Sequence, residues 1–117
     1  MIAVIFEVWP ADGQTNTYFE LAAGLRNDLE TIDGFISVER FQSLTNDKKI
    51  LSLSFWQDEL AIQSWRNLDK HRTAQAKGKT RVFSDYRLRV ASVIRDYGKN
   101  EREEAPADSK FRHGDTI

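Results

Sequence analysis

His71 is where an acid–base reading of this sequence has to begin. The chain has two histidines, and the other, His113, lies in a charged C-terminal stretch. An imidazole is the one side chain whose ordinary pKa falls near neutrality, so it takes and returns a proton without a special environment. Trp65 stands six positions before it, and Phe83 and Tyr86 follow; Trp9 and Trp56 join them if their strand sides face inward. A base beside aromatic side chains that wall a pocket could move a proton on a bound small molecule. Asp85 could orient the imidazole, Tyr86 could bind a substrate oxygen, and Arg72 or Arg87 could hold a substrate anion. Each residue also has a plainer use. Trp65 falls on the apolar stripe of a helix and suits a core, His71 suits a hydrogen-bonded structural position, and either arginine can pair with surface acids. In an unbroken helix Trp65 and His71 point in different directions, so a break at Leu68–Asp69 is expected if both serve one pocket.

Other chemistries find little support. Cysteine is absent, which removes disulfides, thiolate nucleophiles, iron–sulfur clusters and cysteine-bound zinc. Two histidines are too few for a histidine-rich metal site, so no metal is expected. Gly78-Lys79-Thr80 looks like the end of a phosphate-binding loop, but Thr73 stands where that loop needs glycine, and no strand precedes it. Lys70, Arg72, Lys77, Lys79 and Arg81 form a basic run without the interleaved rings of a single-strand-binding surface; it reads as a solvated helix face. With a net charge of −1, no global field draws the molecule to nucleic acid. Hydrolytic, glycosidic and dinucleotide-dependent signatures are missing.

The elements that must position these residues follow from periodicity. The 117 residues, 40% apolar and 30% charged, suit one domain. Ile2 to Trp9 is β-branched and aromatic and stops at Pro10-Ala11-Asp12-Gly13, which predicts a strand and a turn. Tyr18, Leu21, Ala22, Leu25, Leu29 and Ile32 recur at three and four residues, which predicts a helix; Thr17 with Glu20 fits a capping box, and Asp33-Gly34 a stop. Phe35 to Leu44 and Ile50 to Trp56 read as a hairpin. Asp58 caps a second helix carrying Ala61, Ile62, Trp65 and Leu68, and Tyr86 to Tyr97 reads as the last strand.

The order is β-α-β-β-α-β, an α+β, ferredoxin-like unit with strands one and three in the middle of an antiparallel sheet. Strand one is apolar on both sides, with Ile2, Val4, Phe6 and Val8 on one and Ala3, Ile5 and Trp9 on the other. Two helices can cover only one face, so a second copy, sheet against sheet, is expected to cover the other, giving a homodimer. Residues 1–98 form this domain. Residues 99–117 are a charged tail, disordered alone or packed on the partner subunit with Phe111 as anchor. No stretch approaches the roughly 20 apolar residues that cross a bilayer, so no membrane partner is expected and the chain reads as cytoplasmic.

Gly34-Phe35, Ser54-Phe55-Trp56, Trp65, His71, Ala74-Gln75, Gly78, Phe83, Tyr86, Val90, Val93, Arg95 and Tyr97, taken in order on that frame, resemble the antibiotic biosynthesis monooxygenase family of dimeric α+β barrels. The resemblance implies a ferredoxin-like subunit whose dimer closes into a barrel, with no cofactor. Several members oxidise polycyclic phenols or quinols with molecular oxygen and neither metal nor flavin, and others degrade haem. The haem-degrading branch shares the helix tryptophan, here Trp65, but uses an asparagine in the first strand, where this chain has Phe6 and Glu7, and a histidine where this chain has Gln75. The resemblance therefore implies a cofactor-free oxygenase for a small aromatic substrate, with His71 as base and Trp65, Phe83, Tyr86 and Arg72 around the substrate. The rival is a dimeric barrel without catalysis that binds a metabolite or serves as a stress-response accessory.

Overall fold

A computed structural model of the chain describes residues 1–75 and 81–109, with side chains described for 1–68 and 81–109. Six elements follow in the order β1 (Ile2–Pro10), α1 (Thr15–Glu30), β2 (Phe35–Gln42), β3 (Ile50–Trp56), α2 (Glu59–Gln75) and β4 (Phe83–Ser92). The strands pair in the order β2-β3-β1-β4, every pair antiparallel. This is the α+β, ferredoxin-like architecture with β1 and β3 inside.

Register decides which side chains share a face, because partners directly across an antiparallel pair point the same way. Val4 lies across from Ser54 and Val90, Phe6 from Ser52 and Leu88, and Val8 from Ile50 and Tyr86. This even-numbered face of β1 receives both helices. Tyr18 of α1 packs with Val8, Ile50 and Val82, and Phe6, Leu21 and Phe83 close around them. At the other end Leu29 and Ala61 meet Trp56, joined by Ile2, Val4, Val38, Ile62 and Trp65. Trp56 is 2% exposed, and its indole N–H is satisfied by Ser54 Oγ at 2.9 Å.

Several element boundaries differ from expectation: β2 ends at Gln42 rather than Leu44, and β4 begins at Phe83 rather than Tyr86. α1 starts at Thr15, and its N-cap Gln14 makes no side-chain bond, so the Thr17–Glu20 capping box does not form. Tyr18 must already be helical to reach Val8 and Ile50, and the turn at Gly13, with φ of 75°, brings the chain in a turn early. β4 ends at Ser92 rather than Tyr97, because its partner runs out: Ile2 faces Ser92, and Val93 N–H bonds Met1 O. The α2 cap is as expected, with Asp58 Oδ1 accepting from Ala61 N–H at 2.9 Å. Beyond the sheet Arg102 organises residues 97–109, stacking over Tyr97 and donating to Gly98 O and Ser109 Oγ.

The opposite face of the sheet, carrying Ile5, Glu7, Trp9, Leu51, Leu53 and Phe55, receives neither helix. Glu7 sits at its centre in ion pairs with Lys49 and Arg89, and Lys49 Nζ also lies over the Trp9 ring at 5.2 Å. Hydrogen bonds from Lys49, then Arg89, hold the Glu7 carboxyl below the usual glutamate range against an opposing desolvation effect.

Gly34 joins the two halves. Its φ is +92°, and an added Cβ would stand 2.9 Å from Ala61 Cβ, while its carbonyl accepts from Gln57 N–H at 2.7 Å. Gly34→Ala therefore combines left-handed strain with overpacking and should cost roughly 2–5 kcal/mol. Gly13→Ala, with the same sign of φ and nothing within 4 Å, should cost only about 1–2 kcal/mol. Urea unfolding of both variants checks this, and equal losses would contradict the Gly34–Ala61 contact. For Glu7 the lowered folded pKa means its pairing stabilises fully above the unfolded value, and the effect disappears as pH falls through the folded one. The stability gap between the native protein and Glu7→Gln should thus be widest at neutral pH and close only as pH falls below the usual glutamate range, through the lowered folded pKa; denaturation midpoints from neutral pH down through that range would show a flat gap if the ion pairs contribute nothing.

Candidate active site

β4 turns Tyr86, Leu88 and Val90 toward the helices, yet they are 59%, 53% and 46% exposed. The reason lies in where α2 is anchored. Ala61, Ile62 and Trp65 pull it toward Trp56, Ile2 and Val4, over the middle of the sheet, so the helix side of the edge strand stays open. An apolar strip from Val90 to Tyr86 remains, about 13 Å long at the rise of a strand.

α2 starts next to the end of β3, and β4 starts across from Pro10 at the other end of β1. The helix therefore runs from the Ser92 end of β4 toward its Phe83 end. At its start an open groove of about 290 Å³ lies between the two elements, lined by Glu59, Leu60, Ile62, Gln63, Arg66 and Val90. At the far end the strip meets a cluster of rings. Phe6 lies 5.9 Å from Phe83 and 5.7 Å from Tyr86, centroid to centroid, and Phe83 is 5.7 Å from Tyr18. These contacts are edge-on or tilted, as ring quadrupoles favour. Ser52 and Ser54 floor the helix side of β3 and are buried, two small side chains where the flanking positions hold Ile50 and Trp56.

Phe83 reaches this cluster through an irregularity. Strict alternation from Tyr86 would send Phe83 to the opposite face. The register shifts between Trp9 and Pro10, so that Trp9 faces Asp85 while Pro10 faces Phe83. The extra residue, Ser84, donates its hydroxyl to Trp9 O at 2.9 Å. A one-residue bulge of this kind re-aims the side chain beyond it.

Phe83 and Tyr86 thus come together, with Phe6 between them. Trp65, half-buried, packs in the Trp56 cluster rather than against these rings. His71 and Arg72 lie on the last turns of α2, and their side chains fall outside the described residues. α2 is continuous to Gln75, so the break at Leu68–Asp69 does not occur; nothing at Leu68, Asp69 or Lys70 removes an amide donor or prevents helical backbone. Trp9 and Asp85 share the opposite face, as does Arg87, which faces Glu7, and Asp85 accepts its hydrogen bond from Tyr86 N–H at 2.8 Å. Trp56 is a core residue. Sequence reasoning missed Phe6, Leu88 and Val90 as walls and Arg66 as a groove cation. The alternation of Tyr86, Leu88 and Val90 with Arg87 and Arg89 was the available signal. Among the described residues no cluster of three or more His, Asp or Glu could hold a metal ion, and no helix is long and apolar enough to cross a membrane.

Residues 1–77 match the family described as antibiotic biosynthesis monooxygenase. The chain is 46% identical over 101 residues to the jasmonate monooxygenase of Pyricularia oryzae; the match covers 86% of this chain and 47% of that protein, so the chain spans about half the length of that relative. The fold is similar to the Mycobacterium tuberculosis protein Rv0793, with a TM-score of 0.69 at 14% identity, covering 83% of this chain and 98% of that one. It is also similar to a haem-degrading protein of Mycobacterium tuberculosis, with a TM-score of 0.59 at 15% identity, covering 83% and 94%.

If Tyr86 serves as a wall more than as core, Tyr86→Ala should cost no more than about 3 kcal/mol, the upper range for its two aromatic pairs with Phe6 and Phe83. Trp56→Ala should cost about 3–5 kcal/mol. Chemical denaturation measures both, and a larger loss at Tyr86 would make it a core residue.

Proposed function

Because the chain belongs to the antibiotic biosynthesis monooxygenase family, we propose that it is a homodimeric, cofactor-independent monooxygenase acting on a phenol- or quinol-type small molecule held between α2 and β4. One observation carries the reading. An apolar strip on the covered side of the sheet, Tyr86, Leu88 and Val90, is left open and ends among the rings of Phe6 and Phe83. Such surface costs stability when wet, and a flat apolar molecule is the ligand it suits. The monooxygenase activity named for the 46%-identical relative supports the reaction class.

The chemistry asks two things of the protein. It must desolvate an electron-rich substrate and take a proton from it, so that the resulting anion can reduce oxygen directly. In balance, a ring methylene and one O₂ give a carbonyl and one water: the carbon loses four electrons, and the oxygen molecule gains them. Phe6, Phe83, Tyr86 and Trp65 supply the walls. His71 is the proposed base, carried by the part of α2 that runs toward the Tyr86 end, with Arg72 next to it in sequence as a cation for the deprotonated oxygen. Haem is a poor candidate substrate for this chain, since Gln75 stands where the haem-degrading branch has its histidine.

The dimer follows from the other face. Ile5, Leu51, Leu53 and Phe55 there are only partly buried and Phe41 is 43% exposed, and a second sheet laid on them would complete a barrel. The domain is taken as residues 1–98, with the charged stretch from Lys99 onward as a tail outside it.

The test uses the whole chain with a panel of hydroxylated naphthalenes and anthrones, with and without oxygen, following quinone absorbance. Oxygen-dependent acceleration is expected. His71→Ala should lower turnover at least about tenfold, since general-base assistance contributes typically 10²- to 10⁴-fold. An unchanged rate removes His71 from the mechanism, and tight ligand binding without oxygen-dependent turnover across the panel points to a non-catalytic binder.

A further inference from the structure

Arg66 has no assigned role and no partner among the described residues. It stands on the exposed side of α2, lines the groove across from Val90, and makes no ion pair or hydrogen bond with any described residue. By contrast Lys49 and Arg89 are engaged with Glu7, and Arg26 with Glu30. A guanidinium offers a planar fork of donors matched to a carboxylate, and does so beside apolar surface more readily than an ammonium.

The surroundings narrow the ligand further. Val90, Leu88 and Tyr86 lead away from this cation along β4 for about 13 Å without a charged side chain on their own face, because Arg87 and Arg89 point to the other side. Glu59 shares the groove, seven residues before Arg66 and so about 10 Å away along the helix, in the first turn, where the helix dipole favours its negative charge. It repels a second anion from that end. Among the described residues the layout is a cationic seat, an apolar runway and a cluster of rings at its end.

We infer that the groove takes a monocarboxylic acid with an apolar body, its carboxylate on Arg66 and its body along Val90, Leu88 and Tyr86. This rests on reading the cleft as the substrate site, and it deepens that reading: the oxidisable end of the substrate lies among Phe6, Phe83 and Tyr86, and an acid group at the opposite end sets its direction. Arg66 then selects and orients the substrate without touching the reacting atoms.

Calorimetric titration of the full chain with octanoate, butyrate and methyl octanoate tests the seat without requiring turnover. Octanoate should bind; butyrate and the methyl ester should each bind at least about tenfold more weakly. Arg66→Met keeps the apolar stem and should weaken octanoate at least about tenfold, the lower bound for a hydrogen bond to a charged group. Arg26→Met, a change of equal charge on α1, should leave octanoate affinity unaltered. Equal affinity of Arg66→Met and the native chain, or equal affinity for acid and ester, overturns the inference, as does the absence of octanoate binding. The two readings fail separately. Arg66-dependent octanoate binding in a protein inert toward oxygen sinks the oxygenase and keeps the seat, whereas quinone formation that neither octanoate nor Arg66→Met affects does the reverse.

Discussion

β1 is hydrogen-bonded along both of its edges, to β3 and to β4, so its side chains can be sheltered only across the faces of the sheet. The even-numbered side chains find the two helices. Val8 is fully buried against Tyr18 and Ile50, and Ile2 and Val4 pack into the cluster around Trp56. Most other features of the fold follow from how two helices distribute themselves over four strands. Each settles where the largest apolar area can be removed from water, and that is the middle of the sheet.

The edge strand is what this arrangement leaves over. A helix of about 10 Å diameter spans roughly two strands, and with Trp65 and Ile62 committed to the Trp56 cluster, α2 cannot also roof Tyr86, Leu88 and Val90. The exposed strip is therefore a consequence of good packing elsewhere. The residues lining such a place contribute little to the core, so they can change at little cost to the fold. The comparison of Trp56 with Tyr86 makes the point: one is sealed with its indole N–H bonded to Ser54, and the other leans edge-on against Phe6 and Phe83 with most of its surface free.

The opposite face follows a different rule. Its apolar residues surround a half-buried glutamate, and drawing such a group partly out of water is better tolerated when cations attend it. Glu7 has two, Lys49 from the β2–β3 turn and Arg89 from β4. The three groups tie β4 and the hairpin across β1, so the charge at the centre of that face also holds its strands in register.

Much of this was legible in the order of residues. Alternation in β1 and β3, the three-and-four spacing of Tyr18, Ala22 and Leu29, the Asp58 cap and the Gly34 stop are local signals. They determine element type and order; the inner position of β1 agrees with its being apolar on both sides, and that of β3 follows from the β-α-β-β-α-β order. Packing decided the remainder. The side taken by Trp9, Trp56 and Asp85 depends on register, and Phe83 joins Phe6 only because Ser84 bulges out of the ladder, a slip that no pattern of apolar residues announces. Nor does spacing show that α2 leans away from β4 and sets Arg66 beside Val90: a helix carries the record of its own apolar stripe, but where that stripe comes to rest is settled by the size and shape of the residues it meets across the sheet.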